Sequence, residues 1–382
     1  MPVERSLSGL SVLMLSPEST GGIGRHVRML TEGLIDRGAG VTVCAPAGTL
    51  ERFGLADTAA RLVAAPIGSS HGWRQARATV HTLAARHTLT HAHGARAAAV
   101  AASAGVHPLV ATWHNAPLGS ATRRALHRAL ERYSAGRSAL VFGASADLVE
   151  RARAAGAPKA MLCEVAAPEL VTASPAAPMR SLHEPPKVLA IGRLHPQKRL
   201  DLLVEVAARW PAGPHRPRFL VAGDGPLAEP LAREAERRDA PVRFLGAQTD
   251  VGALLADADV VVLPSDWEAR PLAAQEALAA GVPLVATDVG GVRDLVGGAA
   301  VLVPPGDAVA LAAGLRRVLD DEALRLRLRE AGLARARTWP TVDEMVDRIV
   351  RQYLDLDSTV IPLSLSDRND TPDDVDDDAA GR

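Results

Sequence analysis

The sequence predicts an α/β protein made of two doubly wound, parallel-sheet halves facing each other across a crevice. Three observations predict it. Short apolar runs alternate with amphipathic stretches along most of the chain. The runs are apolar on both faces, as strands covered by helices on each side must be. The alternation stops once, near residue 170, in a stretch rich in Pro, Ala and Ser, and then restarts. Length agrees: at about 150 residues per domain, 382 residues imply two to three domains.

In the first half the strand candidates are Ser11–Leu15, Val41–Ala45, Leu62–Ala65, Leu109–Thr112 and Ala139–Gly143, and His91 and His93 end a further strand. Amphipathic stretches such as Gly24–Arg37 and Ala121–Tyr133 lie between them. In the second half the strands are Val188–Ile191, Phe219–Ala222, Val242–Leu245, Val260–Leu263 and Leu284–Ala286. These place one domain at 9–170, a linker at 171–186 and a second domain at 187–340. A helix at 341–356 follows and is expected to pack back toward the first domain. The acidic segment 357–382 is expected to be disordered.

Composition excludes several classes. Hydrophobic residues make up 47% and charged residues 23%, which excludes bulk disorder. Two cysteines, Cys44 and Cys163, exclude a disulfide scaffold, and neither sits in a zinc-ligand spacing. A net charge of −1 argues against nucleic-acid binding. No apolar run approaches the ~18 residues of a membrane span. The start carries an acid and no cleavable apolar core, so no signal peptide is expected and the cytoplasm is the expected compartment. Among 43 basic residues the lysines are Lys159, Lys187 and Lys198 alone, so a retained lysine draws attention.

Ligands of open α/β sheets bind outside the carboxyl ends of the strands. After the first strand comes Gly21-Gly22-Ile23-Gly24, opening a helix. Glycines there admit close backbone approach, and a helix start offers N–H groups to an anion. A tight strand-to-helix turn needs the same residues, so the loop alone does not choose. After the restart strand, Arg193 and Lys198 place two cations near a strand end and a helix start, as a diphosphate clamp would. Gly223-Asp224-Gly225 reads as a turn, with Gly223 a candidate for ligand approach. After Val260–Leu263, the loop holds Glu268, and Pro271 suits the first turn of a helix. The N–H groups of Ala269, Arg270 and Leu272, around Pro271, then face the crevice with Glu268 and Glu276, whose carboxylates suit vicinal hydroxyls. His114 ends another strand and is a candidate acid or base; His91 and His93 read as satisfied core histidines. Asp257 and Asp259 resemble a metal-binding Asp-x-Asp but precede their strand, away from the crevice, so no metal site is predicted there.

Taken together, these residues resemble the retaining nucleotide-sugar glycosyltransferases of family four, which have the GT-B fold of two Rossmann-like domains. The resemblance spans residues 10–340. It is strongest where Gly192-Arg193-Leu194, Lys198, Gly223-Asp224-Gly225, Phe244-Leu245-Gly246, Pro264-Ser265 and the pair Glu268 and Glu276 occur in family order. In the first half, Gly21-Gly22-Ile23-Gly24 and Thr112-Trp113-His114 support it. The resemblance implies a nucleotide-diphosphate-sugar donor as co-substrate, an acceptor it does not name, and no cofactor or metal. It implies that Arg193 and Lys198 stabilise the leaving diphosphate and Glu276 holds the ribose. Glu268 would face the donor sugar, with the backbone of Ala269, Arg270, Pro271 and Leu272 around sugar and phosphate. Gly21 and Gly22 would approach the diphosphate, and His114 would lie near sugar and acceptor.

The chain departs from the family pattern after Glu268, where Ala269-Arg270-Pro271 replaces a Gly and an aromatic, so Arg270 could read a charged donor or contact the acceptor. Cys163-Glu164 also stands where the family has Pro-Asn-Gly before the linker. Arg123, Arg124, Arg128 and Arg132 recur at helical spacing, which fits a solvated face or a contact with anionic lipid at the inner membrane face. A nucleotide-sugar epimerase or a silent partner of a transferase would share the fold. The retained Arg193, Lys198, Glu268 and Glu276 argue against both.

Overall fold

The computed structural model describes residues 7–19, 21–69, 71–166 and 185–360, with side chains to residue 356. The expected linker 171–186, apart from its last two residues, and the tail beyond residue 360 lie outside the described residues.

The first half contains β1 (Ser11–Leu15), α1 (Gly22–Asp36), β2 (Gly40–Ala45), α2 (Ala47–Arg52), β3 (Arg61–Ala64), α3 (Trp73–Ala84), β4 (Leu89–His93), α4 (Ala95–Ser103), β5 (Leu109–Trp113), α5 (Ala121–Ala135), β6 (Leu140–Gly143), α6 (Ala146–Ala154) and β7 (Ala160–Leu162). The second contains β8 (Lys187–Ile191), α7 (Leu200–Ala208), β9 (Arg218–Ala222), α8 (Ala228–Arg237), β10 (Val242–Gly246), α9 (Val251–Ala256), β11 (Val260–Leu263), α10 (Leu272–Ala279), β12 (Leu284–Thr287), α11 (Val292–Val296) and β13 (Val301–Val303). Helices α12 (Ala308–Asp320), α13 (Glu322–Ala336) and α14 (Val342–Val360) close the described chain.

Each half forms one parallel sheet. The first has seven strands in the order β3-β2-β1-β4-β5-β6-β7, and the second six in the order β10-β9-β8-β11-β12-β13. Strand order reverses between β1 and β4, and again between β8 and β11. Those switch points are where open α/β sheets take ligands. The central strands are buried on both faces: Val12, Leu13, Met14 and Leu15 of β1 are covered, as are Val260–Leu263 of β11, while the edge strands β3 and β10 are partly exposed.

Two packing features position the crevice. Helix α1 buries Val27, Leu30 and Leu34 on one face, and Gly38, at φ +88, ends the turn beyond it. On the same helix Gly33 lies against α14, where an added Cβ would stand 2.6 Å from Val346 Cγ2. Met345, Val346, Ile349 and Tyr353 of α14 join the core of the first half. Arg37 fastens the same contact, with Nη2 2.8 Å from Asp347 Oδ1. The last helix therefore packs on the first half although it follows the second in sequence.

Candidate active site in the crevice

On the second half's side, the turn after β8 is held by glycine. Gly223, at φ +141, lies so close to Gly192 that an added Cβ would stand 1.9 Å from the Gly192 carbonyl oxygen. This sets Gly192-Arg193-Leu194 against the end of β9, with Leu194 buried and Arg193 exposed. Lys198 does not open a helix, contrary to the sequence expectation. It ends a short 3-10 turn, Pro196–Lys198, and Arg199 at φ 47 breaks the chain before α7 begins. His195 is the reason: its ring accepts from Gln197 N and caps the short turn first.

That turn delivers Lys198 to Glu268. Lys198 Nζ donates to Glu268 Oε1 at 2.6 Å, and Ser265 Oγ donates to the same oxygen at 2.6 Å. Gln197 Nε2 donates to the Trp267 carbonyl at 2.7 Å, tying the two loops together. Glu268 is buried. Desolvating two charges offsets most of their attraction, so such a pair is weak evidence of a stability device. It is a charge constellation held ready at a switch point.

The loop after Glu268 packs tightly. Gly291 N donates to the Glu268 carbonyl at 2.9 Å, and an added Cβ at Gly290 would stand 2.1 Å from that oxygen. Pro271 lies one residue before the first turn of α10, which starts at Leu272. The Arg270 side chain is engaged by the first half: Nε donates to the Val165 carbonyl at 2.9 Å and Nη1 to Glu164 Oε1 at 2.8 Å. Trp339 lies beneath the guanidinium. Glu164, in the segment that departs from the family pattern, and the adjacent Val165 supply the partners, so the two departures meet in one contact.

Glu276 projects from α10 toward the first half, where Arg25 Nη1 lies 3.5 Å from its Oε1. Burial raises the Glu276 carboxyl above the usual range, and Arg25 partly offsets this. Gly22 faces the same helix: an added Cβ would stand 4.0 Å from Leu272 Cδ1. Trp267 Nε1 donates to Asp147 Oδ2 at 3.0 Å, a third link between the halves.

Behind the first half's side of the crevice lies a cluster of neutral imidazoles, of which His114 alone among His26, His91, His93 and His114 has any exposure. His93 ends β4 and His114 follows β5, with His93 Nδ1 3.2 Å from His114 Nε2. His26 of α1 stacks edge-on against both rings. His91 is satisfied, as expected, by Thr112 Oγ1 at 2.7 Å and Tyr353 OH at 2.5 Å. His93 departs from that expectation: its Nε2 is buried without a hydrogen bond, and so are both ring nitrogens of His26. Burial holds His26 down to about 4, and burial aided by His26 holds His91 down to about 3. Burial first, and neighbouring histidines second, put His93 and His114 well below the usual range. His114 is therefore neutral at pH 7 and offers hydrogen bonds rather than charge. His26, His93 and His114 each bring a nitrogen within 4.8 Å of the others. Imidazole nitrogens at this spacing suit a transition metal, and His93 Nε2 and both nitrogens of His26 are free of hydrogen bonds.

The remaining sequence candidates lie elsewhere. Asp259 Oδ2 accepts from Lys187 N at 2.6 Å at the amino end of β8, and Lys187 Nζ pairs with Asp257. Both thiols are buried, which pushes Cys44 and Cys163 up to about 12. Arg123, Arg124, Arg128 and Arg132 are exposed on α5, beside Leu126 at 60% exposure. Sequence reasoning gave no role to Arg25, His26, Gln197, Ser265 or Trp267. Ser265 stands in a recognised motif; the contacts of His26 and of Gln197 appear only in the folded halves, and those of Arg25 and Trp267 with Glu276 and Asp147 only when the halves meet.

Comparison with known proteins decides the family. The model described as "Glycosyl transferase 4-like domain" matches residues 21–168, and "Glycosyl transferases group 1" matches residues 177–335. The chain belongs to the family-four-like glycosyltransferases. It is 34% identical over 177 residues to glycogen synthase of Mycobacterium tuberculosis, covering 44% of this chain and 43% of that protein. It is 37% identical over 187 residues to D-inositol 3-phosphate glycosyltransferase of Salinispora tropica, covering 44% and 37%. The matches thus span less than half the length of these curated relatives. Among solved structures, sucrose-phosphate synthase of Thermosynechococcus elongatus superposes with a TM-score of 0.76 at 21% identity, covering 92% of this chain and 100% of that one. Anabaena Alr3699/HepE in complex with UDP-glucose gives 0.75 at 21% identity, covering 91% and 100%. The fold is GT-B.

Proposed function

We propose that the protein transfers a hexosyl group from a nucleotide-diphosphate sugar to an acceptor hydroxyl with retention of anomeric configuration. The observation that carries this reading is the Lys198–Glu268 pair at 2.6 Å, half-buried on the lysine side and buried on the glutamate side, set at the switch point of the second sheet. Alr3699/HepE, which shares the fold, binds UDP-glucose, which supports a donor of that class.

The roles follow from the positions. Lys198 and Arg193 meet the negative charge that grows on the departing diphosphate, so transfer needs no metal ion. Glu268 orients the donor sugar and is itself oriented by Ser265. Glu276 accepts hydrogen bonds from the ribose hydroxyls. The backbone of residues 269–272 and of Gly21 and Gly22 approaches the diphosphate, and Gly223 keeps the Gly192 turn in place. His114, neutral, hydrogen-bonds a sugar or acceptor hydroxyl. A diphosphate oxygen takes the proton of the incoming hydroxyl on the face the leaving group departs, which retains configuration. The protein's contribution is orientation and charge stabilisation. The exposed arginines of α5 suit a weak contact with anionic lipid headgroups, which vesicle co-sedimentation at low and high salt checks.

A thermal-shift screen against UDP, GDP, ADP and dTDP and their sugar conjugates tests the donor. A ligand at 100 times its Kd stabilises by ~2.7 kcal/mol. The expected result is a shift with one base that Lys198→Ala removes. No shift with any nucleotide contradicts the reading. A shift without turnover over any acceptor favours a silent partner.

A further inference from the structure

We propose that Arg25 is a donor-binding residue contributed by the first half: it holds Glu276 until a ribose takes that carboxylate, and then moves onto the diphosphate. This rests on the nucleotide-diphosphate reading above.

The geometry of the pair supports an exchange. Arg25 lies in the first turn of α1, three residues after Gly22, and its guanidinium crosses the crevice to Glu276 at 3.5 Å. That contact is single and long, unlike the short bidentate pairing arginine and carboxylate adopt when the pair is structural. The two partners differ in freedom. The Arg25 side chain is 49% exposed and that of Glu276 16%. The carboxylate therefore stays, while the arginine can swing.

Glu276 also needs a partner. Burial disfavours its charged form, and Arg25 is what counters this. A ribose presenting two hydroxyls to Glu276 supplies that hydrogen bonding and makes the arginine redundant there. The released guanidinium has a second anion within reach, because C5′ joins the ribose directly to the phosphates. Helix α1 lies near the start of α10, where a Cβ added at Gly22 would stand 4.0 Å from Leu272 Cδ1. Lys198 is engaged by Glu268, so a further cation improves the match to a diphosphate.

The exchange would make closure of the crevice depend on the donor. A free phosphate cannot displace Arg25 from Glu276, and a nucleoside displaces it without rewarding it. A nucleoside diphosphate does both, and so ties the first half to the second.

Calorimetric titration of the full chain tests this, with UDP, GDP, ADP and dTDP and the matching nucleosides as probes. Wild type is compared with Arg25→Gln, Arg25→Lys and Lys198→Ala. Arg25→Gln is expected to weaken the diphosphate that binds about tenfold and its nucleoside less than threefold. Arg25→Lys is expected to recover part of the loss, and ligand-free unfolding temperatures are expected to agree within two degrees or so. Unchanged diphosphate affinity in Arg25→Gln, with Lys198→Ala weakened, overturns the Arg25 role and leaves the donor reading standing. Equal losses for nucleoside and diphosphate overturn it as well, since Arg25 would then act only by positioning Glu276. No binding of any diphosphate to wild type overturns both.

Discussion

The two walls of the crevice solve recognition differently. The second half presents charge: Arg193, Lys198, Glu268 and Glu276 lie on loops and a helix start of one sheet. The first half backs its wall with neutral imidazoles: His26 and His93 are fully buried, His114 is slightly exposed, and burial disfavours the charged form of all three. Charge suits a diphosphate. Neutral donors and acceptors suit hydroxyls, since they bind without demanding a counterion. Under the proposed function the charged wall would carry most of the nucleotide contacts, with Gly21, Gly22 and Arg25 added from the first half, and His114 would be left for a sugar or acceptor hydroxyl.

The largest expected effect comes from breaking the charged wall. Lys198→Ala removes the cation proposed to meet the leaving group and strands Glu268, and turnover is expected to fall about 10²–10³-fold in steady-state assays. Arg193→Ala, at an exposed position, is expected to fall less and to leave the unfolding temperature unchanged.

The imidazole wall is broken by acid. A histidine whose folded pKa is depressed contributes stability above its unfolded value of about 6.5, and that stability is lost as pH falls toward the folded value. His26, held down to about 4, accounts for about 3 kcal/mol between those limits. The unfolding temperature is expected to drop steeply from pH 6.5 to pH 4, and His26→Gln is expected to flatten the slope. A profile that is level over this interval would show that these rings are solvated.

Glu276→Ala sharpens the comparison within the charged wall. Loss of a charged hydrogen-bond partner is expected to weaken nucleotide binding by ~1.5–3 kcal/mol in the same titrations. The smallest effect is structural. Gly33→Val drives a side chain into Val346 and is expected to cost ~1–3 kcal/mol in denaturant unfolding, with nucleotide affinity retained.

The walls also differ in how much of them the sequence discloses. The charged wall was legible because its residues sit on short local turns. Lys198 is one of three lysines, and Glu268 and Glu276 stand in one ordered stretch. Even so, the 3-10 turn that carries Lys198 was not, because His195 capping and the left-handed Arg199 interrupt a run that reads as helix. Most strands were legible as apolar runs. Strands β7 and β13, three residues each, are too short to show a pattern. The imidazole wall was half legible: His114 ends an evident strand, but His26 becomes part of the wall only when α1 docks. The pairing of Arg270 was not legible because its partner, Glu164, is more than a hundred residues away. Contacts across the crevice, including Arg25 with Glu276, have no local signature at all.

The division between the walls is tested most directly by titrating the nucleoside diphosphate that binds into His114→Ala and Lys198→Ala, with sugar transfer measured on the same samples. His114→Ala is expected to bind the nucleotide as wild type does and to transfer sugar poorly, while Lys198→Ala loses both. Nucleotide binding lost in His114→Ala and kept in Lys198→Ala would contradict the account.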